Sequence, residues 1–343
     1  MLFKFKIGVD ISKDWFDYCL MNNQFKVISK GRIINTPESI KEFIVLLLKE
    51  SHFESIDHVL LVMEHTGLYI NHLVNGWLAQ GGKLSLVPAN KISQALEATN
   101  SFEEKTDEMD ARRIAEYAVR FEDKIELYQL KSENLKNIQL LRSQRKRAIK
   151  CLGILEVPSN ENALFESELS AQLITLGQED AIKALKKLVK SIDKKIQAII
   201  KNDPKLKSLF ALISSVHGVG PVIAYEILLT TNAFIDFLPN KAKSYAKYCG
   251  LVPQEKSSGK FKRKRRTTKK ANTRMKSLLT TGALSLINTK SDLGRYYDRK
   301  MAEGKEHMSV INAMRNKLVL RVFAVVRKQT IYERNYDIPL DKP

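Results

Sequence analysis

Between Ile182 and Ile199 the apolar residues Ile182, Leu185, Val189, Ile192, Ile196 and Ile199 recur at 3-4-3-4-3 spacing. That period winds one apolar seam along a helix, and a helix with such a seam needs a partner to cover it. A looser seam runs upstream through Leu135, Ile138, Leu141, Ile149 and Leu152. The stretch Val157 to Ser170 contains a proline and several polar residues, and is expected to turn the chain. The pattern predicts a long antiparallel helical hairpin or a coiled coil with another subunit. An ordinary two-helix packing inside one chain gives the same spacing.

The first ~125 residues have a different grammar. Phe3 to Asp10, Trp15 to Asn22 and Phe25 to Ile34 read as strands, with Asn22-Asn23 as a turn. Pro37 to Glu50 has helical spacing through Ile40, Phe43, Ile44 and Leu47, with Thr36 as N-cap. His58 to Glu64 is a buried-strand run, Tyr69 to Gln80 a helix stopped by Gly81-Gly82, and Leu84 to Val87 another strand. Three strands followed by helix, strand, helix, strand make a mixed α/β sheet. From Lys205 onward the chain reads as mostly helical. A length of 343 residues is too great for one ordinary core. Three segments are expected: 1–128 as the α/β domain, 129–205 as the helical hairpin or coiled coil, and 206–343 as a helical last domain.

Charge narrows the partners. The formal net charge is +19, and Lys256 to Lys276 carries eleven Lys or Arg with no Asp or Glu. A polyanion is the natural partner of such a run, above all nucleic acid. Lys260, Lys262, Arg263, Lys264, Arg265, Arg266, Lys269, Lys270 and Arg274 are the candidate phosphate contacts. A solvated loop that binds phosphates without chemistry has the same composition. A membrane partner is disfavoured, because no apolar run approaches the ~18 residues of a spanning helix. The start of the chain shows no signal-peptide pattern. Cys19, Cys151 and Cys249 are far apart and form no CxxC pair, which fits buried thiols in a reducing, cytoplasmic setting.

Four carboxylates carry the chemical signal. Asp10 ends the first strand and Glu64 a later one, and such ends lie side by side in a mixed sheet. Asp107 and Asp110 are three apart and share a helical face. Four acids converging on one point repel unless cations neutralise them, and Mg²⁺, with Mn²⁺ as the alternative, suits an all-oxygen ligand set. Two such ions ~3.5–4 Å apart clamp the attacking and leaving oxygens of a phosphodiester. The structural alternative is that Asp107 and Asp110 favour a helix N-terminus or pair with Arg112 and Arg113.

Read in order, I-G-V-D-I-S-K-D, M-E-H-T-G-L-Y, V-P-A-N-K-I and K-T-D-E-M-D-A-R-R-I-A resemble the DEDD transposases of the insertion-sequence-110/1111 family, relatives of the Piv-type DNA invertases. The resemblance implies a RuvC-like amino-terminal domain of RNase H fold, with its metal site on Asp10, Glu64, Asp107 and Asp110. Further along, Gly218-Val219-Gly220-Pro221 is similar to the family's P-G-I-G-P motif, with His217 where proline is common. Gly218 and Gly220 there would let backbone N–H groups approach a phosphate, or simply form a helix-turn-helix corner. Tyr248 to Pro253, followed by Ser257-Ser258-Gly259-Lys260, resembles the motif that carries the family's serine nucleophile. The serine before glycine is Ser258, and Ser257 is its neighbour and alternative. Ala271 stands where the family has glycine.

The resemblance implies a Mg²⁺-dependent DNA transposase or recombinase that cuts and rejoins strands through a covalent phosphoserine. It also implies a homo-oligomer, dimer or tetramer, with composite sites, double-stranded DNA as substrate and a structured bridge RNA as guide. The rival readings are a RuvC-like nuclease or junction resolvase that needs no serine, an invertase with the same chemistry, and a non-catalytic nucleic-acid-binding protein.

Overall fold

The computed structural model describes residues 3–49, 55–65, 67–96, 107–165, 167, 169–170, 178–254, 257–258, 261–262, 266–267 and 271–333. The chain forms two compact units, 1–130 and 131–343.

The first unit is a five-stranded mixed sheet. β1 (Phe5–Ile11), β2 (Trp15–Asn22) and β3 (Val27–Ile34) run antiparallel as a meander, while β4 (Val59–Glu64) and β5 (Lys83–Val87) add in parallel on the other side of β1. The order is β3-β2-β1-β4-β5. Strand parity sorts the side chains between two layers. Ile7, Val9, Ile11, Leu61 and Met63 pack with residues of α1 (Pro37–Lys49) and α2 (Asn71–Ala79). Leu60 and Val62 pack with α4 (Asp107–Arg120), through Ile114, Tyr117 and Ala118, and with Ile92 of α3 (Ala89–Leu96). β4 is covered on both faces, which is why its sequence is continuously apolar up to Glu64.

On the α4 side the strand and helix backbones nearly touch. A Cβ on Gly8 would sit 2.2 Å from the Ala111 carbonyl oxygen and 2.2 Å from the Ala115 nitrogen. Glycine on β1 opposite two alanines on α4 therefore sets the helix against the strand. Lys6, on the same face, is fully buried and bonds the Phe3 carbonyl and the Glu122 carboxylate, each at 2.9 Å.

The second unit is helical. α5 (Glu133–Phe165) and α6 (Gln178–Asn202) lie against each other, so the seam finds its partner within the chain. The helix continues past Pro158 to Phe165, where the sequence suggested a turn. One interior proline removes a single helical hydrogen bond, and the flanking turns carry the helix through it. The covered positions on α5 are Leu135, Ile138 and Ala148, with Arg145 between them on Asp193 of α6 at 2.7 and 3.2 Å. Ile149 is exposed, contrary to the seam read from sequence; Ala148 takes the inward position.

The base of this hairpin shares a core with α7 (Pro204–Ser215), α8 (Pro221–Thr230), α9 (Ala242–Tyr248), α10 (Thr273–Leu284), α11 (Asp292–Ala302) and α12 (His307–Lys328). Asp203 fastens the corner. It caps α7 by accepting from the Leu206 N–H at 3.0 Å and takes a bond from Asn134 at 2.9 Å. The Asn134 bond is the main reason its carboxyl titrates below the usual range. Cys19 and Cys249 are buried, as expected of such thiols, whereas Cys151 is exposed on the hairpin.

Candidate active site and nucleic-acid interface

The carboxylates gather at one end of the sheet because of its register. β1 and β4 pair in parallel up to Val9 opposite Met63, so the next residues on the two strands are Asp10 and Glu64. Asp10 shares its strand face with Gly8, and Glu64 shares its face with Leu60 and Val62, so both lie on the α4 side. Close packing at Gly8 sets the first turns of α4 over this end, and Asp110 is the residue before Ala111.

The electrostatics agree. Burial pushes the Glu64 carboxyl above the ordinary range, and the negative charges of Asp10 and Asp110 push it further. Acids on two other elements, β1 and α4, therefore act on Glu64. Asp110 is 43% exposed and keeps a long contact of 3.4 Å with Arg113, while Arg112 turns to Glu116 at 3.1 Å. Pairing with a neighbouring arginine thus coexists with repulsion from Glu64. Asp107 opens α4 one turn before Asp110, and its side chain lies outside what is described. Among the described residues no group of three or more His, Cys, Asp or Glu is assembled at metal-binding distance.

Sequence reasoning missed Asp17. It lies opposite Asp10 on β2, and on its other side opposite Arg32 on β3, which grips it through two bonds of 3.1 and 2.9 Å. Arg32, Asp17, Asp10 and Glu64 form one row across four adjacent strands. Asp17 is ion-paired with its arginine, and it is the pairing register, which alternation along one strand does not give, that brings Arg32 and Asp10 to either side of it.

The serines occupy a nested pair of short ladders. β6 (Pro253–Gln254) pairs with β9 (Arg266–Thr267), and inside it β7 (Ser257–Ser258) pairs with β8 (Phe261–Lys262), with Ser258 opposite Phe261. Ser257 and Ser258 therefore form one strand of the inner ladder. Lys262 and Arg266 lie on β8 and β9. Lys260, Arg263, Lys264, Arg265, Lys269 and Lys270 lie outside the described residues.

Arg274 has a protein partner. Its guanidinium ion-pairs at 3.0 Å with Glu226 of α8, whose side chain is 1% exposed and which also receives two bonds from Arg142. Gly218, with φ +90°, packs against α10, where a Cβ on Gly282 would be 2.4 Å from the Gly218 carbonyl oxygen. That glycine serves helix contact. Gly220 precedes Pro221 at the start of α8 with open space around its Cα.

Comparison with known proteins agrees with both regions. A family model described as transposase, of the DEDD type named for IS110, matches residues 7–155. A second, described as transposase of the IS116/IS110/IS902 family, matches residues 210–298. The chain is 28% identical over 144 residues to an uncharacterised 43.6 kDa protein of insertion element IS110 from Streptomyces coelicolor, covering 42% of this chain and 34% of that one. It is 24% identical over 196 residues to a probable family 20 transposase of Pseudomonas aeruginosa, covering 56% of each. Against the transposase for insertion sequence element IS1111A of Coxiella burnetii it is 22% identical over 355 aligned positions, covering 95% of this chain and 90% of that one. The chain thus spans about a third and about half of the first two relatives, and nearly all of the third. With both family models matched in order along its length, the chain belongs to the IS110/IS1111 family of transposases.

Proposed function

We propose that this protein cuts and rejoins DNA strands to move an insertion element, using the acids of the first unit and Ser258 of the second. The observation that carries the reading is the coupling of Glu64 with Asp10 and Asp110 at the ends of two parallel strands. The order β3-β2-β1-β4-β5, with acids on β1, β4 and a packed helix, supports a RuvC-like domain of RNase H fold.

The donor set fits a hard divalent cation, Mg²⁺ first, because all its ligands are carboxylate oxygens that repel one another without one. Asp10, Glu64, Asp107 and Asp110 would hold it. Such an ion, when bound, supplies Lewis-acid polarisation of phosphate oxygens. Ser258 is the proposed nucleophile. Its oxygen forms a bond to phosphorus as the bond to a sugar oxygen breaks, and the freed sugar hydroxyl reverses the exchange on rejoining. The cationic hairpin favours the charge that develops on the phosphate. A net charge of +19 suits a protein that holds DNA and a guiding bridge RNA together, as a homo-oligomer in the bacterial cytoplasm. No helix among the described residues is long and apolar enough to cross a membrane.

The test is to trap the protein on an element-end DNA with Mg²⁺ and map the adduct by mass spectrometry. A phosphodiester link at Ser258 is expected, lost in Ser258→Ala and kept in Ser257→Ala. Strand cutting that survives both changes would replace this reading with a serine-independent nuclease.

A further inference from the structure

A crevice of about 590 Å³ opens in the second unit where the base of the serine-bearing hairpin meets α10 and α12. Pro253 of β6 and Thr267 of β9 line one side, and Lys276, Thr280, Asn312 and Arg315 line the helical side. Arg315 is only 5% exposed, on the face of α12 that also buries Ile311, Leu318 and Val319. Among the described residues it has no hydrogen-bond or ion-pair partner, and its Nε is buried and unsatisfied. A guanidinium in that position is costly unless something neutralises it.

The rest of the crevice is built for an anion with a polar body. Lys276 adds a second cation, and its Nζ donates to the Thr267 hydroxyl at 3.3 Å. Thr280 adds a hydroxyl. Asn312 donates through Nδ2 to the Leu251 carbonyl at 2.8 Å, so its Oδ1, buried and unpaired, is left as an acceptor. Glu306, exposed at the start of α12, is the acid among the described lining residues. Donors together with an acceptor suit a nucleotide better than a bare inorganic anion.

We infer that this crevice binds a backbone phosphodiester of the DNA strand, with Arg315 as its bidentate fork and Lys276 as its second cation. Its place beside the strand that Ser258 cuts rests on the proposed function; the anion site itself rests on Arg315. The guanidinium matches two phosphate oxygens at once, and the bound phosphate supplies a charge that no described residue gives it. Arg315 is thus a positioning residue at the base of the hairpin.

The test uses the full chain, with inorganic phosphate and a short single-stranded oligodeoxynucleotide as separate probes. Phosphate is expected to raise the melting temperature of the unaltered protein and of Ser258→Ala. Arg315→Leu should melt at or above the unaltered protein without ligand, because an uncompensated charge is gone, and should lose the phosphate-dependent rise. Its affinity for the oligonucleotide should fall roughly tenfold, with a shallower salt dependence by about one unit of slope. Should Arg315→Leu not fold, Arg315→Lys keeps the charge without the fork and should still lose most of the affinity. An unchanged phosphate shift and unchanged oligonucleotide affinity in a folded Arg315 variant would overturn the site. Adduct formation at full rate in Arg315→Leu would overturn its role beside Ser258 and leave the nucleophile standing. Phosphate binding that depends on Arg315 without any seryl adduct would do the reverse.

Discussion

The two units treat buried charge in opposite ways. In the second, Glu226 is enclosed by Arg142 and Arg274, two guanidinium groups on one carboxylate. In the first, Glu64 meets Asp10 and Asp110; Arg32 is engaged with Asp17, and Arg113 makes a long 3.4 Å contact with Asp110. A charge answered inside the chain ties elements together: Glu226 joins α5, α8 and α10. A charge pressed against others of its sign, or buried without a partner among the described residues, raises the free energy of the fold and suits something of opposite charge that arrives. Arg315 belongs to the second kind although it lies in the unit of the first.

The largest effect expected from this contrast is on chemistry. Asp10→Asn should reduce strand exchange on the order of 10³-fold or more while DNA affinity, measured by polarisation, stays within about twofold. If binding falls as far as exchange does, the acids are holding the fold and the comparison fails. Glu226→Gln should do the opposite. It leaves two arginines facing one neutral amide and should cost about 3 kcal/mol of stability, read by denaturant melts of the full chain. A change below ~0.5 kcal/mol there would mean that solvent, and not Glu226, neutralises the arginines.

Gly8→Ala tests how the acidic end is assembled. The new methyl would meet the α4 backbone at 2.2 Å, and backbone cannot swing aside as a side chain can. A loss of about 2–3 kcal/mol is expected, with weaker divalent-ion affinity by calorimetry, because Asp110 travels with α4. Unchanged ion binding in a destabilised Gly8→Ala would separate Asp110 from the ion site.

What was legible in the sequence follows the same division. The strands, α1 and α2 could be read from apolar runs, alternation and helical period, whereas α3 was missed. The neighbourhood of Asp10 and Glu64 followed from strand ends alone. Asp17 could not be recognised as their neighbour without register, since one residue of slip would turn it to the other face. On α5 the apolar count favoured Ile149, but Arg145 bonds Asp193 along the hairpin and Ala148 takes the inward position beside it. Arg274 looked like one more cation of a basic run, and only the fold reveals Glu226 opposite it. Arg315 left a trace, a lone arginine within an apolar helical stripe, but what it lacks is a matter of tertiary structure.

The smallest effect is also the most diagnostic. The Glu64 carboxyl titrates above its ordinary range in the folded protein, first through burial and then through Asp10 and Asp110. As pH rises past the unfolded value, the unfolded chain releases this proton before the folded one does. In that window the folded state holds more protons, so stability falls as pH rises until the folded group has also ionised. Glu64→Gln removes the proton and the repulsion together. Without divalent ions it should melt about 1–3 °C higher than the unaltered protein at neutral pH, and the two should converge below the carboxylate range. Addition of Mg²⁺ should reverse the order, since the ion stabilises only the protein that keeps its ligand. If Glu64→Gln is less stable at every pH with and without the ion, then Glu64 is an ordinary structural acid like Glu226, and the distinction between the units disappears at the residue on which it was drawn.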